Sequence, residues 1–354
     1  MKDKVRFGII GTGRISDWVL KGAVLEPRFE AVAVCSRSRE RAEAFGVSHG
    51  IPTAYSDPEE MASDPEIDAI YIGTPNNTHH DLAILCMEKG KHVLCEKPLA
   101  SNAREVEDMI EAARKHGVVL MEAMISTLSP NFLNVQDRLG EIGTVRHFSA
   151  TFCQYSSKFA QVVRILSGED SSPVPSSFNP DSSGGALMDV GIYTIYPMVT
   201  LFGEPDSIKA EVKTLNVPVG AFVKPVDIHG NILFGYPGMT ACAMYSKVAD
   251  SRLRTEISGE LGMISLDQVH IARQVSLTKR GEPTSGRSAG PQSTDITVPC
   301  DADEYQCEFR EFIDVVLSGR KESRNNSLRN SLIVARIMDE VRRQAGISFP
   351  ADSR

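Results

Sequence analysis

Long apolar runs are missing from this sequence. No stretch approaches the roughly 18 apolar residues that a transmembrane helix requires. The first residues, Met1-Lys2-Asp3-Lys4, lead only into the short apolar stretch Val5–Ile10 and then into a glycine cluster. A signal peptide needs a longer apolar region followed by a cleavage site of small residues. We therefore expect a cytoplasmic protein without a membrane partner.

Positive charge and clustered metal ligands are also scarce. The 38 Lys and Arg residues are outnumbered by 46 Asp and Glu residues, which gives a formal net charge of -8. Binding to nucleic acid needs a basic surface, so we expect no nucleic-acid partner. The seven cysteines form no CxxC pair, and the eight histidines are dispersed, with only His79-His80 adjacent. Reduced thiols and no metal site are therefore expected.

The length of 354 residues predicts about two domains. In the first 125 residues, short apolar runs alternate with segments of helical period, as in parallel strands that are buried on both faces. The clearest helix runs from Asn102 to His116, with Asn102 suited to its N-cap and Gly117 to its end. We therefore predict an α/β domain with a doubly wound parallel sheet. Its predicted strands are Val5–Ile10, Ala31–Cys35, Ala69–Gly73, His92–Glu96 and Val118–Glu122.

The pattern changes after about residue 125, where strands follow one another with few intervening helices. This order favours an α+β domain with a largely antiparallel sheet. The polar stretch Ser167–Ser183 is predicted to be a mobile loop, and Ser327–Gln344 is predicted to be the final helix. The predicted domains cover residues 1–124 and 125–354. The strands predicted in the second are Thr144–Phe152, Lys209–Leu215, Asn231–Phe234, Thr240–Tyr245 and Arg254–Ser258.

A glycine motif joins the first predicted strand to the first helix. Val5–Ile10 is followed directly by a GxGxxS sequence that ends at Ser16. Gly11 would form the tight turn, Gly13 would admit a pyrophosphate to the backbone, and Ser16 would keep helix and strand close. The strand before the motif and the helix after it favour a dinucleotide site over a glycine-rich turn without a ligand. The candidate cofactor contacts in this motif are Gly11, Thr12, Gly13, Arg14 and Ile15.

The end of the second strand addresses the choice between NAD and NADP. NAD sites usually place Asp or Glu there to bind the ribose 2′-hydroxyl. This chain instead has Ser36 and Arg37, which suit a 2′-phosphate, and we therefore favour NADP over NAD. The alternative is that Arg37 is a solvated surface residue on which the adenine of NAD stacks.

Two further segments follow strands at the carboxyl edge of the sheet, where open α/β sheets bind ligands. Thr74, Pro75, Asn76 and His79 follow one strand and are candidate cofactor contacts, although His79 is equally compatible with a helix start that the backbone satisfies. Glu96-Lys97-Pro98 ends the next strand, so Glu96 and Lys97 join the candidate cofactor contacts. The alternative for Lys97 is an ordinary exposed lysine.

A second candidate for catalysis lies in the segment from Gly184 to Tyr193. If Leu187 begins a helix, Asp189 and Tyr193 are separated by four residues and share one face. A tyrosine beside a lysine is a workable proton donor, because the ammonium group favours the phenolate. A tyrosine on an amphipathic helix is more often a core residue, however, and spacing alone leaves both alternatives open.

Taken together, the motifs resemble those of a known family. Gly11-Thr12-Gly13, Thr74-Pro75-Asn76, Glu96-Lys97-Pro98 and Gly185-x-x-x-Asp189-x-Gly191-x-Tyr193 look like the glucose-fructose oxidoreductase, inositol dehydrogenase and rhizopine catabolism family (Gfo/Idh/MocA). The resemblance covers nearly the whole chain. It implies a Rossmann domain followed by an open, mostly antiparallel sheet domain, with the C-terminal helix returning toward the first domain. It also implies a catalytic Lys97, a cis Lys97–Pro98 bond and a homodimer or homotetramer.

Tyr193 narrows the resemblance, because many family members have His at this position. The tyrosine form is similar to dimeric dihydrodiol dehydrogenases and NADP-dependent xylose dehydrogenases. This similarity implies NADP as the preferred cofactor, an acid/base role for Tyr193 and an orienting role for Asp189. Ile125-Ser126-Thr127 departs from the subgroup, which often has an aromatic residue and an arginine there. Since these positions are expected near the substrate, the substrates of the relatives are not carried over.

Three functions are compatible with these features. The predicted one is hydride transfer between nicotinamide and a small sugar, cyclitol or related polyol, with Lys97, Tyr193 and Asp189 as catalytic residues. The second is a non-catalytic dinucleotide sensor, against which the retention of both Lys97 and Tyr193 argues. The third is a redox-neutral enzyme that uses tightly bound NAD for transient oxidation.

Overall fold

A computed structural model describes residues 3–281, 283–284, 287–288, 292–300 and 303–354 of the chain. The chain divides into two compact units. The first comprises Met1–Leu128, Asp301–Ala335 and Ala351–Arg354, and the second comprises Ser129–Cys300 and Arg336–Pro350. The first division thus lies close to the predicted one. The segment Asp301–Ala335 belongs to the first unit, whereas the predicted second domain was residues 125–354, with the C-terminal helix returning toward the first.

The first unit contains a parallel sheet of six strands: β1 (Val5–Ile10), β2 (Phe29–Cys35), β3 (Thr53–Tyr55), β4 (Ala69–Ile72), β5 (His92–Glu96) and β6 (Leu120–Ala123). The strand order is β3-β2-β1-β4-β5-β6, with every neighbouring pair parallel. This is the order of a Rossmann fold, with the topological switch between β1 and β4. The doubly wound sheet is therefore confirmed. The short β3 was not predicted, because three residues show no period.

Helices alternate with these strands: α1 (Arg14–Ala23), α2 (Arg39–His49), α3 (Pro58–Ser63), α4 (His79–Glu88) and α5 (Ala103–His116). The ends of α5 show how the sequence sets its limits. The Asn102 side chain accepts a hydrogen bond from the Glu105 backbone N–H at 2.9 Å, which satisfies an otherwise unpaired donor. Gly117 ends the helix at a φ of 68°, a left-handed conformation that glycine adopts without strain. The predicted helix is confirmed at both ends.

The second unit contains an eight-stranded sheet in the order β16-β13-β12-β11-β7-β10-β9-β8. Its strands, with a separate two-strand ladder of β14 and β15, are β7 (Val145–Cys153), β8 (Ser207–Val219), β9 (Phe222–Tyr236), β10 (Met239–Ser246), β11 (Thr255–Gly259), β12 (Gly262–Leu266), β13 (Val275–Lys279), β14 (Pro283–Thr284), β15 (Arg287–Ser288) and β16 (Gln292–Asp295). In the described part of this sheet, β7 and β10 pair in parallel and the other neighbours are antiparallel. The predicted α+β architecture is confirmed.

Three helices accompany the second sheet: α6 (Pro130–Arg138), α7 (Phe159–Leu166) and α8 (Ile192–Phe202). A π-helical turn, Leu187–Gly191, leads directly into α8. The region is therefore helical as predicted, but its first turn is wider than an α-helical turn. The stretch Pro180–Phe202 is long and apolar enough to cross a membrane, but 72% of its most apolar window is buried within the fold. Burial of this kind is typical of a core helix in a globular protein.

The last two helices are α9 (Glu304–Ser318) and α10 (Leu328–Gln344), and the division between the two units falls within α10. Residues of α9 complete the core on one face of the first sheet. The Phe309 ring lies 5.3 Å from the Phe7 ring and 5.0 Å from the Phe29 ring, measured between centroids. Such aromatic packing accounts for the place of Asp301–Ala335 in the first unit. Sequence order alone does not reveal it, because the partners are about 300 residues apart.

Truncation of Phe309 should therefore destabilise the first unit. We expect Phe309→Ala to lower the free energy of unfolding by about 3–5 kcal/mol, because the side chain is fully buried and its removal leaves a cavity. Leu317→Ala is the matched control, since Leu317 lies on the same helix and is 37% exposed. Denaturant unfolding of the full chain measures both. Equal effects of the two substitutions would contradict the assignment of α9 to this core.

Candidate functional site

The loop between β1 and α1 is shaped by two glycines. Gly11 has a φ of 111°, and a Cβ atom at this position would lie 2.3 Å from the Gly73 carbonyl oxygen. Gly13 is the N-cap of α1, without a side-chain cap hydrogen bond, and a Cβ atom there would meet nothing within 4 Å. The first turn of α1 thus offers backbone N–H groups to an open approach. This arrangement fits the pyrophosphate of a dinucleotide.

Ser16 allows α1 to pack closely on the sheet. Its side chain is fully buried, and a Cβ atom added at Gly73 would lie 2.8 Å from the Ser16 hydroxyl oxygen. Larger side chains at either position would force the helix away from the end of β4. The part predicted for Ser16 therefore agrees with the packing. The reciprocal constraint at Gly73 was missed, although its place at the end of a predicted strand, beside a glycine loop, was a usable signal.

The end of β2 carries hydroxyl and guanidinium groups. The Thr12 hydroxyl donates to the Ser36 hydroxyl at 3.3 Å, which places Ser36 beside the glycine loop. Arg37 is exposed, and no ion pair involves it in the part of the chain that the structure describes. Arg39, in contrast, pairs with Glu43 at 3.0 Å. Ser36 and Arg37 are therefore the groups available to a 2′-phosphate at this strand end.

The remaining residues of the motif have local contacts. The Arg14 guanidinium lies over the Trp18 ring, 4.9 Å from its centroid, which is a cation–π arrangement on the surface of α1. Ile15 is half-buried and packs against the apolar core of the first unit. Ile15 therefore presents its backbone, more than its side chain, toward the loop.

His79 connects the loops that follow β4 and β5. Its Nδ1 atom lies 2.9 Å from the Pro98 carbonyl oxygen and its Nε2 atom lies 2.9 Å from the Thr74 carbonyl oxygen. The ring is fully buried, and this burial lowers the pKa of His79 despite the two carbonyl groups, with the Lys97 charge adding to the effect. With both nitrogens engaged by backbone, the geometry favours a bracing role for His79 over a cofactor contact.

Thr74, Pro75 and Asn76 form the turn after β4. The Thr74 and Thr78 hydroxyl groups lie 2.7 Å apart, and Thr78 also donates to the Pro75 carbonyl oxygen at 2.7 Å. Asn76 begins a short 3₁₀ turn, Asn76–Thr78, directly before α4. The turn is thus held by its own hydroxyl groups at the carboxyl edge of the sheet, where we predicted a ligand site.

Glu96 and Lys97 lie at the end of β5. The Glu96 carboxylate is buried and accepts hydrogen bonds from the Tyr71 hydroxyl at 2.8 Å and from the Lys97 backbone N–H at 3.2 Å. The Lys97–Pro98 bond is cis, as the family resemblance implied. The buried Glu96 carboxylate therefore fixes the backbone of Lys97 at the carboxyl edge of the sheet. The Lys97 side chain itself is half-buried.

A buried carboxyl group that sequence reasoning missed lies behind this segment. Glu122, in β6, accepts a hydrogen bond from the Leu99 backbone N–H at 2.9 Å. Burial raises the pKa of Glu122 to about 7, against the opposing effects of a Ser331 hydrogen bond and the Lys97 charge. Glu308 of α9 is also buried, and burial with the nearby Glu96 charge raises its pKa as well. No sequence period reveals such groups, since acidic residues are usually exposed.

In the second unit, Asp189 lies in the π-helical turn and Tyr193 in the first turn of α8. The Tyr193 ring meets the Phe152 ring edge-on at 5.5 Å and the His270 ring edge-on at 6.0 Å, measured between centroids. Phe152 and His270 are stacked on each other at 4.0 Å. These rings fix the plane of the half-buried tyrosine. Phe152 and His270 were not predicted.

The Asp189 carboxylate is held by a lysine from another strand. Lys247, directly after β10, donates from Nζ to the Asp189 Oδ2 atom at 2.5 Å.

The predicted loop Ser167–Ser183 contains two 3₁₀ turns, Ser176–Phe178 and Pro180–Ser182, with Phe178 fully buried. This part of the segment is therefore structured, and the prediction of a mobile loop is wrong for it. The buried Phe178 anchors the segment in the core of the second unit.

The segment that departs from the subgroup, Ile125-Ser126-Thr127, lies in the buried 3₁₀ turn Ile125–Leu128. The Thr127 hydroxyl donates to the Asn326 side-chain oxygen at 2.5 Å, and the Asn326 amide donates to the Met124 carbonyl oxygen at 3.0 Å. These positions are thus used for packing within the first unit. Among the described residues, no three His, Cys, Asp or Glu side chains cluster as metal ligands.

The fold and the glycine loop define an oxidoreductase built on a dinucleotide-binding Rossmann unit. Residues 5–124 match the oxidoreductase family with an NAD-binding Rossmann fold, and residues 138–265 match the Gfo/Idh/MocA C-terminal domain. The chain belongs to the Gfo/Idh/MocA oxidoreductase family. This membership confirms the predicted resemblance, fold class and enzymatic nature.

Individual relatives match over nearly their full lengths. Scyllo-inositol 2-dehydrogenase (NADP(+)) of Bacillus subtilis is 42% identical over 348 residues, which cover 98% of this chain and 99% of the relative. Trans-1,2-dihydrobenzene-1,2-diol dehydrogenase of Xenopus laevis is 32% identical over 354 residues, with 98% and 99% covered. The solved structure of levoglucosan dehydrogenase in complex with NADH and levoglucosan has a TM-score of 0.83 at 21% identity, with 97% of each chain covered. This last match supports the fold.

Glu122 makes the stability of the first unit depend on pH. Its pKa is about 7 in the folded state against an ordinary value of 4.5, so the folded state retains the proton to higher pH. The stability that this group contributes is complete below pH 4.5 and is lost as the pH rises through 7. Between pH 4.5 and 7 this group should lower the free energy of unfolding of the wild type by up to about 3 kcal/mol. We expect this fall to be absent in Glu122→Gln. Asp227, whose pKa burial also raises, to about 6, remains in both proteins, so the difference between wild type and variant isolates Glu122.

Denaturant unfolding of wild type and Glu122→Gln between pH 4.5 and 8 measures this difference. Parallel stability curves for the two proteins would contradict the raised pKa of Glu122.

Proposed function

We propose that this protein is an NADP-linked dehydrogenase or reductase that acts on a sugar, a cyclitol or a related polyol, or on the corresponding carbonyl compound. The proposal rests on one observation in the first unit. The N-terminus of α1 is open, and Lys97 lies at the same carboxyl edge of the sheet, directly after β5. The relatives named for an inositol and for a 1,2-diol support a substrate with several hydroxyl groups. A bound nicotinamide would supply or accept the hydride, and the chain's own residues would handle the proton.

Tyr193 is the proposed proton carrier. Its hydroxyl would take the proton of the substrate hydroxyl in oxidation and return it in reduction. The edge-on contacts with Phe152 and His270 support this role, because they hold the ring in one plane while leaving it half-buried. Lys97 would bind a substrate oxygen through its ammonium group. Asp189 would accept a hydrogen bond from a further substrate hydroxyl.

The proposed preference for NADP rests on the end of β2. Ser36 is joined to Thr12 of the glycine loop, and Arg37 is exposed beside it. Both are donors, and the arginine fork suits a phosphate. The NADP named for the relative from Bacillus subtilis supports the same choice.

We also propose a cytoplasmic homodimer or homotetramer. The support lies on the outer face of the eight-stranded sheet. Leu233, Cys242 and Met244 lie on neighbouring strands with their side chains wholly or partly exposed. An apolar patch on an open sheet is usually covered by another chain, and closed symmetry is the commonest arrangement. The oligomer itself is a proposal from this face and from the family.

Loss of Lys97 or of the Tyr193 hydroxyl should greatly slow turnover without loss of cofactor binding. We expect Lys97→Ala and Tyr193→Phe each to lower kcat by about 10²- to 10⁴-fold, the usual contribution of positioned acid/base groups. Steady-state kinetics over a panel of sugars and cyclitols with NADP+, and of the corresponding ketones with NADPH, measure this. Calorimetry with NADP+ should give nearly unchanged affinities. A fully active Lys97→Ala variant would refute the assignment, and tightly bound cofactor without net turnover would indicate redox-neutral chemistry.

Arg37 should determine the preference between the two dinucleotides. We expect Arg37→Ala to weaken NADP+ binding by about tenfold or more and to leave NAD+ binding unchanged, because only NADP+ carries the 2′-phosphate. Arg39→Ala is the matched control, since Arg39 is engaged by Glu43. Calorimetry on wild type and both variants measures the two affinities. If wild type binds NAD+ as tightly as NADP+, Arg37 has no part in cofactor choice.

A further inference from the structure

Lys247 is an unusually placed charge in the second unit. Its side chain is only 3% exposed, although it carries an ammonium group that water would otherwise solvate. Nζ donates to the Asp189 Oδ2 atom at 2.5 Å and to the Ser177 carbonyl oxygen at 3.1 Å. It also lies 4.3 Å from the centroid of the Phe178 ring. The buried charge is therefore compensated by one carboxylate, one carbonyl group and one aromatic face.

A second buried group fixes the turn that carries Asp189. Asp227, on β9, accepts a hydrogen bond from the Leu187 backbone N–H at 2.6 Å. The absence of a side chain at Gly185 makes room for it, because a Cβ atom there would lie 2.1 Å from the Asp227 Oδ1 atom. Asp227 thus holds the first residue of the π-helical turn by its backbone. Lys247 holds the Asp189 side chain two residues further on.

The ion pair is asymmetric in its exposure. The Asp189 side chain is 40% exposed, whereas its lysine partner is almost completely enclosed. A carboxylate has about four acceptor positions, so it can accept several hydrogen bonds at once. The enclosed lysine therefore fixes the direction of the carboxylate, while part of the Asp189 side chain remains exposed to solvent.

We infer that Lys247 is a positioning residue that orients the Asp189 carboxylate to accept a hydrogen bond from a hydroxyl group of the substrate. The inference rests on the proposed function, since Asp189 is the proposed acceptor. Lys247 would itself touch no substrate, because its ammonium group is enclosed by Asp189, Ser177 and Phe178. Lys247 would affect substrate binding only by orienting the Asp189 carboxylate, and this effect would disappear in Asp189→Asn.

A double-mutant cycle on the full chain tests this dependence. The variants are Lys247→Met, Asp189→Asn and the pair, with Lys224→Met as control. Lys224 also pairs with an aspartate of this unit, Asp181 at 2.5 Å, but the Lys224 side chain is 33% exposed, compared with 3% for Lys247. The probes are NADP+ with scyllo-inositol and with the most active compound of the sugar and cyclitol panel. Crystal structures of wild type and Lys247→Met complete the set.

We expect Lys247→Met to raise KM by about tenfold with a smaller fall in kcat, and to have less than about twofold effect when Asp189 is already Asn. Lys224→Met should leave both constants unchanged. The crystal structure of Lys247→Met should show a displaced Asp189 carboxylate on an unchanged π-helical turn. A folded Lys247→Met protein whose KM is unchanged, or equally raised in both backgrounds, would overturn the inference.

Two safeguards separate the possible failures. If Lys247→Met does not fold, Lys247→Arg keeps the charge and should retain a KM within about threefold of wild type; a larger rise in a folded Lys247→Arg protein without displacement of Asp189 would count against the inference. If no polyol is turned over, the proposed function fails. The crystal structures then still decide whether Lys247 orients Asp189, and an unmoved carboxylate would refute it.

Discussion

The close approach of two backbone segments at the carboxyl edge of the first sheet is the constraint on which the proposed cofactor site depends. Gly11 leaves β1 with its Cα facing the Gly73 carbonyl oxygen, at a separation that no side chain would permit. Gly73, in turn, makes room for the Ser16 hydroxyl, which brings α1 down onto the sheet. Because the glycine loop and the helix start are fixed in this way, the first N–H groups of α1 remain open at Gly13. Three small residues therefore shape the proposed anion site without contributing a functional side chain.

Buried polar and acidic side chains also lie at this edge of the sheet, and their burial lowers the stability of the fold. His79 joins the loops after β4 and β5 through two carbonyl oxygens, and the buried Glu96 carboxylate fixes the backbone of Lys97. Glu122 and Glu308 are buried nearby, and burial raises the pKa of each. Apolar residues of similar size would pack at lower cost. Buried polar groups near Lys97 are typical of a site in which the position and electrostatics of a functional group are maintained at the expense of stability.

The success of the sequence predictions follows the range of the interactions that decide each feature. The limits of α5 are set by Asn102 and Gly117 at its own ends, and β1 and β5 are continuous apolar runs, so all three were predicted from local pattern. The glycine motif and Lys97 were found for the same reason. Local pattern does not indicate the place of α9, because its aromatic partners belong to the start of the chain. Asp227 and Lys247 were missed, since they reach the turn of Asp189 from strands 40 and 58 residues away.

These long-range contacts bear most directly on substrate choice. The positions at which the subgroup often carries an aromatic residue and an arginine are here the buried turn Ile125–Leu128, which is tied to Asn326. Those positions make packing contacts within the first unit. In the second unit, the groups proposed to meet a polyol are the carboxylate of Asp189 and the aromatic group of Phe152, Tyr193 and His270. A carboxylate oriented by a buried lysine favours hydroxyl groups, and aromatic rings favour the apolar face of a carbon ring. We therefore expect a cyclic polyol to suit this unit better than an anionic sugar, which the Asp189 charge would repel.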